Sequence, residues 1–551
     1  MNPTVQISSD CSIEGLTVTN PQINKPVDCF LGIRFGTAER FERPQMAELW
    51  SGKKIATKCG PITPQLRESF DAYNEMLENK PEDSIMDEDC LYLNVWRSSN
   101  VEPNEKLPVI VYFNNTFLKI GSQNLFGGEV FCAVNRCILV TVNFRFGSLG
   151  FMTSHDGALE GNYALLDQIL SLQWVQKYIE HFGGNKSNVT LFGTGAGSVM
   201  VNALMVSKLA KGLFHRAICT GGTIIKPEFF MTRAFASELF YFLVKTFFDY
   251  PGNKDGKAMK AFLKTVPIQK LVELLPISVN LSLVIDGHVI LDDPKLIYEK
   301  NRQLKIPLLL GAVSNEGFDY VQPFIGHSGN TIRDEEHFAE IVTLLCKLYT
   351  YKSNSEGIQN EMVMRTKSMY NSKNKPKDVL YRMASKMLGD VYTVAPTYRL
   401  AEYYARKLST VYLYELQHQP PFSVGPHWLV MSRGMDVPYI FGDPYMSRIS
   451  TNWGHHDKSI SMNLMKAWGE FMEKGSPSDW KPFTKNNRNV KVFTSNAHVE
   501  TLYNERMLEF WNDDMANLSH SDQHKVKEED FNMKQYMALC HCSTTGQKLP
   551  I

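Results

Sequence analysis

Residues 193–197 read Gly193-Thr194-Gly195-Ala196-Gly197, the spacing of Gly-x-Ser-x-Gly with a glycine at its centre. That pentapeptide forms a sharp turn between a strand and a helix, and the turn raises a serine hydroxyl for nucleophilic attack. The flanks suit such a turn: Asn188-Val189-Thr190-Leu191-Phe192 is β-branched and strand-like, and Ala196 to Val201 is an apolar run of helical type. Attack at a carbonyl needs a hydroxyl or thiol at the tip and a base to take its proton. Gly195 supplies neither. Thr194 and Ser198 carry hydroxyls on either side, but no base is placed beside them, so they read as turn and helix-packing residues.

The elements that must position this turn are legible around it. Strands are expected at Val109–Phe113, Ile138–Asn143 and Val189–Phe192, with a helix starting just after Gly195. Several further segments carry a family resemblance: Phe30-Leu31-Gly32-Ile33-Arg34-Phe35 with Arg40-Phe41-Glu42-Arg43-Pro44, the run Glu88-Asp89-Cys90-Leu91-Tyr92-Leu93-Asn94-Val95, and Val142-Asn143-Phe144-Arg145. To these add Gly161 to Gln168, Trp174-Val175-Gln176, Phe182-Gly183-Gly184, Pro438-Tyr439-Ile440-Phe441-Gly442 and Trp468-Gly469-Glu470-Phe471. In this order they resemble the type-B carboxylesterases, a group that includes cholinesterases and neuroligins. The resemblance implies an α/β-hydrolase fold, a central and mostly parallel sheet with helices on both faces. It spans residues 5–512, leaving 513–551 as a polar C-terminal tail.

That family orders its catalytic residues as Ser, then Asp or Glu, then His. The resemblance places the acid at Glu316, in Ser314-Asn315-Glu316-Gly317 after the strand Pro307–Gly311. Counting back from Phe441-Gly442 places Arg433 on the histidine position, and an arginine stays protonated and cannot serve as general base. His427, six residues upstream, has no signature around it and reads as a loop residue. The family's HGGGF oxyanion segment is replaced by Asn114-Asn115-Thr116-Phe117, whose side chains should fill or distort the space that glycines leave open. An ion pair between Glu316 and Arg433 is expected, with the glutamate pKa depressed by the neighbouring charge. The competing arrangement has Arg433 swung out to bind an anionic ligand. Arg40 with Glu88, and Arg145 with Asp167, match two family ion pairs of structural role.

The chain has 551 residues, 43% of them hydrophobic, with 58 acidic and 58 basic side chains. No basic excess points to nucleic acid. No apolar run approaches the ~18–20 residues of a membrane span, and no secretory leader is recognisable at the amino terminus. Of the ten cysteines, Cys90 stands where secreted relatives have one half of a disulfide, but Thr63 stands at the other half and Cys59 lies four residues earlier. These features lead us to expect a cytoplasmic protein, or a secreted one if a leader is missing. Cys540-His541-Cys542 lacks a second ligand pair, so neither a metal nor a cofactor is expected. Choline-binding relatives place a tryptophan where Lys80 stands, which removes the platform for cation–π recognition. The expected function is that of a non-catalytic carboxylesterase-like protein, binding an unknown protein or a small apolar or ester-like ligand. The alternatives are an ester hydrolase with a rearranged or residual site and an extracellular adhesion-type relative.

Overall fold

The computed structural model describes residues 2–520 apart from 77–84, 103, 227–228, 274–281, 326–331, 350–354, 407–408, 422–424, 447–451 and 495–503. Lys80 and the Cys540–Cys542 motif therefore lie outside the described residues, as does most of the tail.

A ten-stranded sheet forms the centre. Its strands are β1 (Leu16–Thr19), β2 (Pro26–Arg34), β3 (Tyr92–Ser98), β4 (Leu107–Asn115), β5 (Ile138–Val142), β6 (Gly184–Gly195), β7 (Arg216–Thr220), β8 (Leu308–Val313), β9 (Val411–Leu416) and β10 (Lys491–Phe493). In space they run β1-β2-β3-β5-β4-β6-β7-β8-β9-β10. From β5 onward along that order every pairing is parallel, while β1, β2 and β3 pair antiparallel. A parallel strand covered on both faces must be apolar on both, which is why Val109 to Phe113 and Ile138 to Val142 read as continuous hydrophobic runs. Every residue of β5 is buried. Thr4–Ser8 lies in a separate three-stranded sheet with Cys11–Glu14 and Gly52–Ile55.

Helices cover both faces of the sheet. On one side Tyr163–Tyr178 (α1) and Ala196–Val206 (α2) contribute to one apolar cluster; on the other, His455–Lys474 contributes Leu464, Met465, Trp468 and Phe471 to a second. The Pro438–Gly442 motif forms a short helix whose Phe441 stacks on Phe126 at 5.2 Å and packs against Tyr112 at 4.9 Å. Ordered packing also runs past residue 512 into the range read as tail: Met515–His520 is helical, with Met515 and Ser519 buried.

The two structural ion pairs differ in depth. Arg145 forms a bidentate pair with Asp167 at 2.8 and 2.9 Å, with side-chain exposures of 3% and 0%. Its backbone N–H donates to the same carboxylate, and its Nη1 donates to the carbonyl of Glu42 at 2.8 Å. Arg40 also grips Glu88 through two nitrogens and donates to the carbonyls of Leu263 and Val266, but Glu88 is one-third exposed. Removing one partner of a buried pair leaves a charge without compensation. Asp167→Ala should therefore cost ~3–5 kcal/mol in chemical denaturation, whereas Glu160→Ala, which breaks the exposed pair with Arg43, should cost less than about 1 kcal/mol.

Candidate functional site

The turn at Gly195 is present in full. β6 ends at Gly195, α2 begins at Ala196, and the tip adopts φ +57°, ψ −120°, a conformation that glycine tolerates and L side chains rarely adopt. The outer glycines are required by close approach. A Cβ at Gly193 would lie 2.3 Å from the carbonyl oxygen of Gly197, and one at Gly197 would lie 2.1 Å from that of Phe113. Thr194 and Ser198 are committed elsewhere: the Thr194 hydroxyl bonds Tyr112 Oη at 3.0 Å, and the Ser198 hydroxyl donates to the carbonyl of Gly222 at 2.6 Å.

Sheet register brings the other segments to the same place. β6 pairs with β4 so that Gly195 faces Asn115 and Thr194 faces Asn114. Beyond β8, the backbone N–H of Asn315 donates to the carbonyl of Met431 at 2.9 Å, and Asn315 bridges Ser432. This ties the loop bearing Glu316 to the loop bearing Arg433. Gly195, Glu316, Arg433, Thr116 and Phe117 then line one cavity of about 150 Å³. Asn114 and Asn115 do not line it. They are buried in the end of β4, where Asn114 Nδ2 donates to the carbonyl of Ser122 at 3.3 Å. Only the second half of the expected segment therefore reaches the space, through a turn in which Phe117 and Leu118 adopt left-handed φ.

The direct Glu316–Arg433 pair is not formed. Glu316 Oε1 accepts the N–H of Val313 at 2.8 Å, and Oε2 has no hydrogen-bond partner among the described residues. Arg433 Nη1 donates to the Tyr320 hydroxyl at 2.5 Å, and its guanidinium lies 5.3 Å from the Tyr320 ring centre and 5.5 Å from that of Phe117. Nor does Arg433 swing out, since it is only 7% exposed. It leans over the tip instead: a Cβ at Gly195 would lie 3.2 Å from Arg433 Nη2. The pKa expectation is also reversed. Burial pushes Glu316 up to about 7, because desolvation of the carboxylate outweighs the lowering by Arg433. Asp319 and Asp436, also against the cavity, are raised to about 6 by the same cause. His427 is exposed, and no contact joins it to the cavity among the described residues.

Sequence reasoning missed Tyr320, Asp319 and Asp436. Tyr320 stands four residues after Glu316, within Phe318–Ile325, so a helix starting just after the acid would turn it back toward the same side. Its ring is packed at 4.6 Å from Tyr392, which lies in a π-helical turn over Asp390–Val394. Among the described residues no cluster of metal-ligating side chains occurs, and no helix is long and apolar enough to cross a membrane.

Comparison with known proteins places this architecture. A family model described as the carboxylesterase family matches residues 1–511. The chain belongs to the carboxylesterase family. Its fold is accordingly the α/β-hydrolase fold, with the ten-stranded mixed sheet described above. Bovine (Bos taurus) carboxylesterase 4A is 28% identical over 516 residues, covering 88% of this chain and 90% of the relative. Human (Homo sapiens) carboxylesterase 5A is 29% identical over 85% of this chain and 80% of its own length. Human neuroligin-2 is 27% identical over 86% of this chain, a match that covers 61% of that larger protein.

The raised pKa of Glu316 has a consequence for stability. Between the ordinary value of 4.5 and about 7 the folded protein keeps a proton that the unfolded chain has released. The stabilisation from that proton is complete below 4.5, declines as pH rises, and is gone above 7. The stability advantage of the native protein over Glu316→Gln should therefore shrink by on the order of 3 kcal/mol from the lower to the upper end of that window. Urea titrations of both proteins across the window measure it.

Proposed function

We propose that this carboxylesterase-family protein is non-catalytic and acts by binding a small ligand or a protein. The observation that carries the reading is the arrangement at the 193–197 turn, where Gly195 has no side chain and the Arg433 guanidinium covers the tip. Ester hydrolysis by the family route needs a nucleophile, a base beside it and donors for the oxyanion. Here the tip is bare, the residue facing it is a permanent cation, and the nearby hydroxyls of Thr194 and Ser198 are bound to other groups. Loss of triad members costs on the order of 10⁶-fold in turnover. Restoring one group does not restore the assembly, and a serine at 195 would also bring its Cβ against Arg433.

A fluorophosphonate serine-hydrolase probe should leave the protein unlabelled while labelling an active relative, and a short-chain aryl ester should not be turned over at a rate typical of the family. Gly195→Ser should not recover turnover. Ester turnover abolished by substituting Thr194 or Ser198 would establish a rearranged hydrolase instead.

We further propose a reducing compartment. None of the eight described cysteines is in a disulfide, and seven of them are buried. Cys90 faces the Thr63 hydroxyl at 3.5 Å, and Cys59 accepts from Asn94 Nδ2 at 3.9 Å. Thiol titration of protein denatured without reductant should find all ten sulfhydryls. Disulfides, or glycans on Asn185 or Asn280, each in an Asn-x-Ser acceptor sequence, would place the protein outside the cytosol.

A further inference from the structure

Arg433 is a buried cation with much of its hydrogen-bonding capacity unspent. Nη1 is taken by Tyr320, and the rings of Phe117 and Tyr320 lie against the guanidinium. The edge carrying Nε and Nη2 borders the cavity. A Cβ at Gly195 would stand 3.2 Å from Nη2 and 3.6 Å from Nε, and one at Gly221 would stand 3.7 Å from Nε. The same point at Gly221 is 3.5 Å from Glu316 Oε2, the oxygen without a partner on a side chain only 2% exposed. A guanidinium edge with two adjacent N–H groups matches the two oxygens of a carboxylate. Neither glycine places a side chain over that edge. The eleven-residue helix α2 adds the partial positive charge of its N-terminus directly behind Gly195.

We propose that this cavity binds a small monocarboxylate, with its oxygens between the Nε/Nη2 edge of Arg433 and Glu316 Oε2, and its short apolar part against Phe117 and Ile120. Two facing carboxyl groups are stable when they share one proton, and burial of Glu316 favours the protonated form that would donate to the ligand. Asp319 and Asp436 also border the space, so a second negative charge on the ligand would be repelled, which disfavours phosphate. The volume sets the size. A cavity of about 150 Å³ admits a molecule of benzene's dimensions, which covers short aliphatic acids such as propionate and butyrate. The inference rests on the non-catalytic reading, since a working esterase would release such an acid as product.

Calorimetric titration of the full chain with propionate and butyrate, against propionamide, butyramide and inorganic phosphate, tests it. Each acid should bind at least about tenfold more tightly than its amide, and phosphate should not compete. Arg433→Gln should reduce acid affinity by about tenfold or more and leave the amides unchanged, with circular dichroism melting reporting whether the variant folds. If it does not fold, the preference for acid over amide in the unaltered protein decides alone. Equal affinity for acid and amide, an Arg433→Gln protein that keeps its acid affinity, or no acid binding up to roughly 10 mM would overturn the proposal. Probe labelling or ester turnover would overturn the non-catalytic reading; a protein inert to both and indifferent to acids would overturn this inference alone.

Discussion

The passage of helix α2 across the end of β4 is the contact that the site depends on. With the Gly197 Cβ position only 2.1 Å from the Phe113 carbonyl oxygen, no side chain fits, and the strand must turn sharply to deliver the helix there. The tip is thereby driven to positive φ whatever residue occupies it. A side chain at that tip would be strained, a cost of order 1–3 kcal/mol that a catalytic nucleophile justifies by its function. Glycine removes the strain and leaves the turn unchanged. The backbone geometry of the turn is thus set by close approach at Gly193 and Gly197 and does not depend on which residue stands at its tip.

Electrostatics explains why the buried arginine and the nearby glutamate stand apart. Glu316 is anchored to its own strand by the Val313 N–H, while Arg433 is anchored to Tyr320 and flanked by Phe117. Aromatic faces stabilise a guanidinium without requiring a second ion to be desolvated. A contact pair would have to recover the hydration lost by both groups, and burial makes that loss large. The balance here holds one partner as a cation between rings and pushes the other toward its neutral form.

What could be read in the sequence follows from this division. Features fixed by the backbone were legible: the turn at 193–197, the buried parallel strands, and the arrival of Glu316 and Arg433 at one place. The first two rest on glycine spacing and apolar periodicity, which are properties of the chain itself, and the third rests on the resemblance to the family's motifs. Features fixed by side-chain competition were not. The sign of the Glu316 shift depended on burial against one charge, and that burial arises from loops far apart in sequence. Asn114 was misplaced because β4 extends to Asn115, so the residues expected in the loop belong to the sheet. Tyr320 and Asp436 carried only weak signals, a helical offset from the acid and a short offset from the arginine.

The region around Cys90 shows how the scaffold can hold a loop without a covalent link. A disulfide at this position would contribute about 2–4 kcal/mol, largely by restricting the unfolded chain. In its place the Thr63 hydroxyl donates to the Phe144 carbonyl at 2.7 Å and faces Cys90 Sγ. Asn143 Nδ2 reaches both Thr63 Oγ1, at 3.2 Å, and the Cys90 carbonyl, at 2.8 Å. Each such bond contributes about 0.5–1.5 kcal/mol net, so a few buried bonds offset much of one missing cross-link. They act on the folded state, whereas a disulfide acts on the unfolded one. The same group also fixes Asn143 and Phe144 immediately before Arg145. The loop is thereby tied to Arg145, whose ion pair with Asp167 is buried on both sides.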